Sequence, residues 1–192
     1  MRSSAESSPS FRIRPVAESD AEAMREIYAP IVRDTPISFE LEVPSAEEIA
    51  RRIAEHTAFA PWLVAEDGGN CLGYAYGSKF RGREAYRLTV ETTIYVAATS
   101  RRTGVGRDLY RALLDAVRSQ GFRTAIAGIT LPNAASVRFH ESLGFVPVGV
   151  FHNVGRKFGA WHDVGFWEQD LGATPEGPHD DSPHSAPSKE TS

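Results

Sequence analysis

Between Thr89 and Arg111 the chain reads TVETTIYVAATSRRTGVGRDLYR, and no other stretch restricts the fold as tightly. Val90, Thr92, Ile94 and Val96 alternate with Glu91, Thr93 and Tyr95, the period-two pattern of a half-buried strand. After a connector at Ala97–Ser100, the run Arg101-Arg102-Thr103-Gly104-Val105-Gly106 opens an amphipathic helix. Leu109, Leu113 and Val117 share one face of it, with Tyr110 and Leu114 beside them, and Gly121 stands where a left-handed stop is expected. A strand feeding a glycine-bearing turn into a helix start suits phosphate, because the first amides have no partner inside the helix and the macrodipole favours anions there. Gly104 and Gly106 permit close approach to the backbone, and Arg101, Arg102 and Arg107 add positive charge. An ordinary tight turn would match the same short pattern, so context decides.

The chain has 192 residues, enough for one domain with a real core. We expect that domain at 11–171, between a disordered Ser-rich segment at 1–10 and a disordered acidic, Pro/Ser-rich tail at 172–192. The tail holds four acids against Lys189, which accounts for −3 of the net charge of −4; Arg2 and Glu6 cancel, leaving the body at −1. A nearly neutral body offers no field for nucleic acid. No apolar run approaches the roughly 20 residues that span a bilayer, and MRSSAESSPS lacks the apolar core of a secretory leader, so cytoplasm is expected and no membrane partner. Cys71 is the only cysteine, which excludes an internal disulfide and a cysteine metal cluster; it reads as a small buried hydrophobe in CLGYAYG.

In chain order, FRIRPV is a strand and Ser19-x-x-Glu22 a capping box before a helix carrying Met24, Ile27, Tyr28 and Ile31. Pro30 and Pro36 are expected to break that helix, leaving TPISFE as loop. Ser45-x-x-Glu48 starts a second helix, with Ile49 and Ile53 inward. WLVAE and CLGYAYG form a hairpin through Asp67-Gly68-Gly69-Asn70, and RGREAY is a polar loop. FRTAIAGIT is a strand, Pro132-Asn133 caps the helix AASVRFHESL, and Gly144 ends it. FVPVGVF and WHDVGFWEQDL are closing strands joined by a loop, HNVGRKFGA. The order is strand, two helices, three strands, helix, strand, helix, two strands, an α/β chain.

From about Phe11 to Leu171 the sequence resembles the GNAT N-acetyltransferases. RRTGVG matches their pyrophosphate loop, while VETTIYV, LPNAASVRFHESLGF and WHDVGFW resemble the phosphinothricin acetyltransferase group. The resemblance implies a mixed, mainly antiparallel sheet with acetyl-CoA between splayed central strands, and a homodimer; no metal is expected, since ligand residues do not cluster in the sequence. It implies acetylation of a small amine such as phosphinothricin or methionine sulfoximine, by direct attack on the thioester. A protein N-terminus or another amine is the alternative acceptor, and a non-catalytic CoA-binding regulatory module is the alternative from outside enzymology.

Such attack requires a base and a means of polarising the carbonyl. Strand parity puts Glu91 with Thr93 and Tyr95; the residues alone favour a solvent-facing glutamate, and the resemblance reverses that and makes it the base. His140 stands where many of these enzymes have a tyrosine acid, and it is assigned as acid, second base or orienting donor. For acetyl-CoA the resemblance implies backbone groups of Ile94, Tyr95 and Val96, the run Arg101, Arg102, Thr103, Gly104, Val105, Gly106 and Arg107, and Asn133 with Ser136. Asn133 fits an N-cap as well. The acceptor is assigned to Arg83 and Tyr86 of the R-x-A-Y motif, then Arg81, with Phe39, Thr93 and Val164 lining the pocket. Trp161 and Trp167 are expected in the core, and His162-Asp163 as a structural pair.

Overall fold

The computed structural model describes residues 11–172; the expectations for the two terminal segments otherwise lie outside the described residues. Strand β1 (Arg12–Pro15) leads to helices α1 (Ala21–Asp34) and α2 (Ala46–His56). Strands β2 (Trp62–Asp67), β3 (Asn70–Lys79) and β4 (Thr89–Val96) precede α3 (Val105–Ser119). Then come β5 (Thr124–Leu131), α4 (Ala134–Glu141), β6 (Val146–Lys157) and β7 (Ala160–Asp170). One sheet runs β1-β2-β3-β4-β5-β7-β6, antiparallel everywhere except between β4 and β5. The expected element order holds.

Both faces of the sheet carry a core. On one face, Leu109, Tyr110, Leu113 and Val117 of α3 pack on Val90, Ala75, Ala125 and Ala127, with Phe145 and Trp167 beside them. On the other, Met24 and Ile27 of α1 and Ile49 and Ile53 of α2 pack on Trp62, Val64 and Tyr74. These two helices cover only the β2–β4 half of their face. Over β5, β7 and β6 no helix lies on that face among the described residues, and this asymmetry makes room for a site.

Five local expectations need correction. Pro30 lies inside α1 rather than ending it. Burial of Ile27, Tyr28, Ile31 and Val32 outweighs the lost backbone bond, and Pro30 itself faces out. The capping box at Ser19 is displaced. A 3-10 turn at Glu18–Asp20 precedes α1, and the Asp20 carboxylate accepts the Ala17 N–H (2.8 Å) and two Arg14 guanidinium bonds (2.7 Å each). The segment HNVGRK is strand, not loop: β6 continues through a register shift between Phe151 and Gly155, where Asp163 accepts the Asn153 N–H (2.8 Å) and binds His152 Nδ1 (2.9 Å). Thus His162 and Asp163 do not pair with each other; each binds β6, His162 through the Lys157 carbonyl. Finally, Trp167 is buried but Trp161 is 60% exposed, beside the β6–β7 turn.

Ser45 caps α2 as expected, accepting the Glu48 N–H (3.2 Å). The β2–β3 hairpin turns through two left-handed glycines, Gly68 and Gly69. Cys71 is half-buried and its thiol is pushed up to about 11 by burial, which leaves it un-ionised near neutrality.

Candidate active site

The site begins where β4 and β5 part. They pair only over Thr89–Glu91, opposite Thr124–Ile126, and then diverge. Alternation along β4 determines which groups face the gap. The Ala97 N–H bonds the Leu72 carbonyl (2.9 Å), so Tyr95 and Thr93 direct their backbone at β3, while Ile94 and Val96 direct theirs at the gap. A peptide-like arm laid there would find free N–H and C=O groups. The parting is braced from below: Thr92, buried, donates its hydroxyl to the Ile126 carbonyl (3.1 Å) and accepts the Tyr110 hydroxyl (2.7 Å).

At the end of the gap α3 begins. Gly104 is its N-cap with φ of 93°, and Arg102 is also left-handed with φ of 67°. Among the described residues, the Thr103, Gly104, Val105 and Gly106 amides have no acceptor, while the Gly104 carbonyl receives the Arg107 and Asp108 N–H groups. That is an anion-binding nest at a helix start. The two glycines act differently. Space beside Gly104 is open, so its backbone conformation requires glycine; a Cβ on Gly106 would stand 3.2 Å from Val96 Cγ2, so its smallness lets α3 approach β4. Arg101, Arg102 and Thr103 are exposed, Val105 is buried, and Arg107 bonds the Ser142 hydroxyl (3.0 Å). A cavity of about 750 Å³, lined in part by Val96, Ala97, Arg101, Glu26 and Asp34, adjoins this turn. Across the gap, Asn133 caps α4 through its side-chain oxygen on the Ser136 N–H (3.1 Å), and its amide stays available. The nest, the outward backbone groups of Ile94 and Val96 and the Asn133 amide fit the pantetheine arm and diphosphate of a CoA thioester, whereas Glu26 and Asp34 on the cavity wall do not.

Glu91 lies at the head of the gap, on the open face. A Cβ on Gly128 would stand 3.6 Å from its Oε1 and 3.5 Å from the Phe166 ring, which places the carboxylate over Gly128 of β5, beside Phe166 of β7. Burial raises the Glu91 carboxyl above its ordinary range; the charge of Arg81 opposes this. Thr93, on the same face, stands opposite Tyr76 in the β3–β4 pairing.

Beside Glu91 the uncovered face holds a cavity of about 480 Å³ lined by Phe80, Arg81, Tyr86, Ile126, Phe151 and Phe166 among others. Arg81 stacks on Phe80, its Cζ 4.9 Å from the ring centre. The arrangement brings Arg81 and Tyr86 to the cavity but leaves Arg83 off its wall, although Arg83 is the arginine of the motif. Phe39 lies off that wall too, against Gly155 and the His162 ring (6.2 Å between centres). Val164 stands opposite Thr130 and Phe151 inside the sheet. The apolar wall of Ile126, Phe151 and Phe166 was missed in the sequence, although strand parity from Glu91 through Ile126 carries the signal.

His140 is 5% exposed, ringed edge-on by Tyr110, Phe139 and Phe145 at 5.2–5.3 Å. Its Nδ1–H donates to the Ser136 carbonyl (2.9 Å), and burial lowers its pKa, so the ring is neutral near pH 7. A neutral ring has no spare proton for a departing thiolate.

Comparison with known proteins agrees with this geometry. The model of an acetyltransferase (GNAT) domain matches residues 13–165. The phosphinothricin N-acetyltransferase of Streptomyces viridochromogenes is 39% identical over 159 residues, 83% of this chain and 87% of the relative. An L-methionine sulfoximine/L-methionine sulfone acetyltransferase of Pseudomonas paraeruginosa is 37% identical over 174 residues, 88% of this chain and 99% of the relative. Among solved structures, a GNAT superfamily phosphinothricin acetyltransferase from Sinorhizobium meliloti, in complex with acetyl-CoA, superposes with a TM-score of 0.83 at 34% identity, covering 90% of this chain and 95% of that one. With its diverging central strands, its nest at the start of α3 and these likenesses over most of its length, the chain belongs to the GNAT acetyltransferase family.

Proposed function

We propose that this enzyme acetylates the amino group of small amino acids and their analogues, phosphinothricin and methionine sulfoximine among them. The observation that carries the reading is the position of Glu91, between a gap suited to a CoA thioester and a cavity bearing an arginine. Acetyl-CoA, bound there, supplies the activated acetyl group. The nest at Thr103–Gly106 holds the diphosphate, Ile94 and Val96 pair with the arm, and Asn133 and Ser136 add contacts from α4. Arg81, with Tyr86, orients the acceptor's carboxylate or phosphinate. Glu91, directly or through water, takes the ammonium proton, and its raised pKa suits that work near neutrality. His140, neutral and enclosed, orients rather than protonates.

The reading includes a homodimer, the cytoplasm as compartment, and resistance to such amino-acid toxins as a consequence. Support for the dimer comes from β6, an edge strand that exposes Val146, Val148, Val150, Phe151 and Val154 together. No helix among the described residues is long and apolar enough to cross a membrane.

A thiol-release assay tests the proposal, with acetyl-CoA offered to free amino acids, phosphinothricin, methionine sulfoximine and short peptides. Turnover of the amino-acid analogues with peptides ignored is expected. Acetylation of peptides alone would move the acceptor to protein N-termini, and tight acetyl-CoA binding without turnover on any amine would leave a regulatory module.

A further inference from the structure

Of the side chains that line the cavity beside Glu91, two are charged, Arg81 and Glu168. Arg81, stacked on Phe80, suits the acceptor's carboxylate. Glu168, on β7, is exposed and forms no hydrogen bond or ion pair among the described residues, with Arg81 or any other. It is a free carboxylate on the wall of the cavity.

Sheet register places it relative to the chemistry. Glu91 of β4 stands opposite Ile126 of β5, and Ile126 stands opposite Glu168 of β7. Residues opposite one another share a face, here the face on which Glu91 lies over Gly128 beside Phe166. One row across the sheet therefore reads acid, apolar, acid, its two ends about 10 Å apart at two strand spacings. An amino acid laid along that row has matching parts. Its ammonium meets Glu91, its methylenes cover Ile126 and Phe166, and the end of its side chain comes to Glu168. Charge balance singles out that end. Arg81 and Glu91 match the acceptor's carboxylate and ammonium, which leaves Glu168 as a negative charge with no counterpart in the cavity.

We infer that Glu168 is a specificity-determining residue: at the far end of the row it accepts a hydrogen bond from the acceptor's side chain and repels an anion there, an inference that rests on reading this cavity as the amine site. Three amino acids of nearly one shape, differing only at the γ-group, resolve the effect. Methionine sulfoximine ends in a neutral group with an N–H donor, methionine sulfone in a neutral group without one, and phosphinothricin in an anionic phosphinate. Affinity should fall in that order. Because Glu168 is exposed, water and salt weaken its field, and the spread should be about tenfold, well below what an enclosed charge would give.

Titration calorimetry on the full chain loaded with CoA, beside thiol release from acetyl-CoA, tests the inference. Wild type should bind methionine sulfoximine about tenfold tighter than phosphinothricin, with methionine sulfone between them. Glu168→Gln keeps the shape and removes the charge. It should bind phosphinothricin about tenfold tighter than wild type does, while the sulfone moves less than about twofold. Glu168→Lys should reverse the order and place phosphinothricin first. The wild-type gap should shrink as salt rises from about 0.05 M to about 0.5 M, and the remaining gap in Glu168→Gln should not respond. A side chain that merely supported the strand would move all three ligands alike at every salt. Equal wild-type affinity for the sulfoximine and phosphinothricin, or a gap that survives Glu168→Gln unchanged, would overturn the inference, as would failure of all three to bind. The expected order without acetylation of any of them upholds the role of Glu168 and sinks the functional reading; acetylation without that order does the reverse.

Discussion

Replacing Glu91 by glutamine would separate chemistry from architecture. The amide fills the carboxylate's volume against Gly128 and Phe166, and no hydrogen bond to the Glu91 side chain among the described residues is lost. What disappears is a base whose pKa burial has raised. General-base assistance is worth about 10²–10⁴-fold, roughly 3–5 kcal/mol of barrier, and kcat should fall by that factor while acetyl-CoA binds as before. Stability should move the other way. A carboxyl whose folded pKa lies above its unfolded value ionises first in the unfolded chain, so its penalty grows as pH rises from the unfolded pKa to the folded one and persists above it. The variant should accordingly melt no lower than wild type at pH 7, and its advantage should vanish in acid. In wild type, kcat/KM should climb with pH with a midpoint above the usual glutamate range, and the variant should lack that limb. Thiol release across pH, beside thermal melts, reads all of this. Turnover within about fivefold of wild type, or a clearly lowered melting temperature, would refute the reasoning.

Arg81→Ala should raise KM for an anionic acceptor roughly 10–100-fold, the value of a charge-assisted hydrogen bond, with a smaller effect from Arg83→Ala; the opposite ranking in parallel assays would refute the cavity as acceptor site. For Gly104→Ala the surroundings are open, so the cost is that of a left-handed backbone, about 1–2 kcal/mol, measured by denaturation, with acetyl-CoA affinity falling as the nest distorts. Tyr110→Phe removes the hydroxyl that bonds Thr92 (2.7 Å) and should cost about 1 kcal/mol, seen as a melt lowered by roughly 2–4 °C. Light scattering should find wild type dimeric and Val148→Glu, on the exposed edge strand, shifted to monomer; a wild type that stays monomeric at every concentration would end the dimer reading.

Much of the frame was legible because it is local. Alternation along Thr89–Val96, the left-handed glycine at 121, the Asp67–Asn70 turn and the caps at Ser45 and Asn133 each depend on neighbours within a few residues, and each appears where expected. Pro30 marks the limit: its local preference is to break a helix, and the buried face of α1 overrides it. The same limit explains HNVGRK, where Asp163, some ten residues away, captures the bulge that lets β6 continue.

The candidate site divides along that line. By itself the sequence determined the strand-turn-helix unit and the face of Glu91, since periodicity and backbone chirality act over a few residues. Only tertiary structure decided that β4 and β5 part after Glu91, that Arg81 rather than Arg83 lines the cavity, that Glu168 shares its wall, and that His140 is enclosed by three rings. Each of those is a meeting of segments far apart in the chain, governed by which helices cover which half of the sheet and by what burial does to charge.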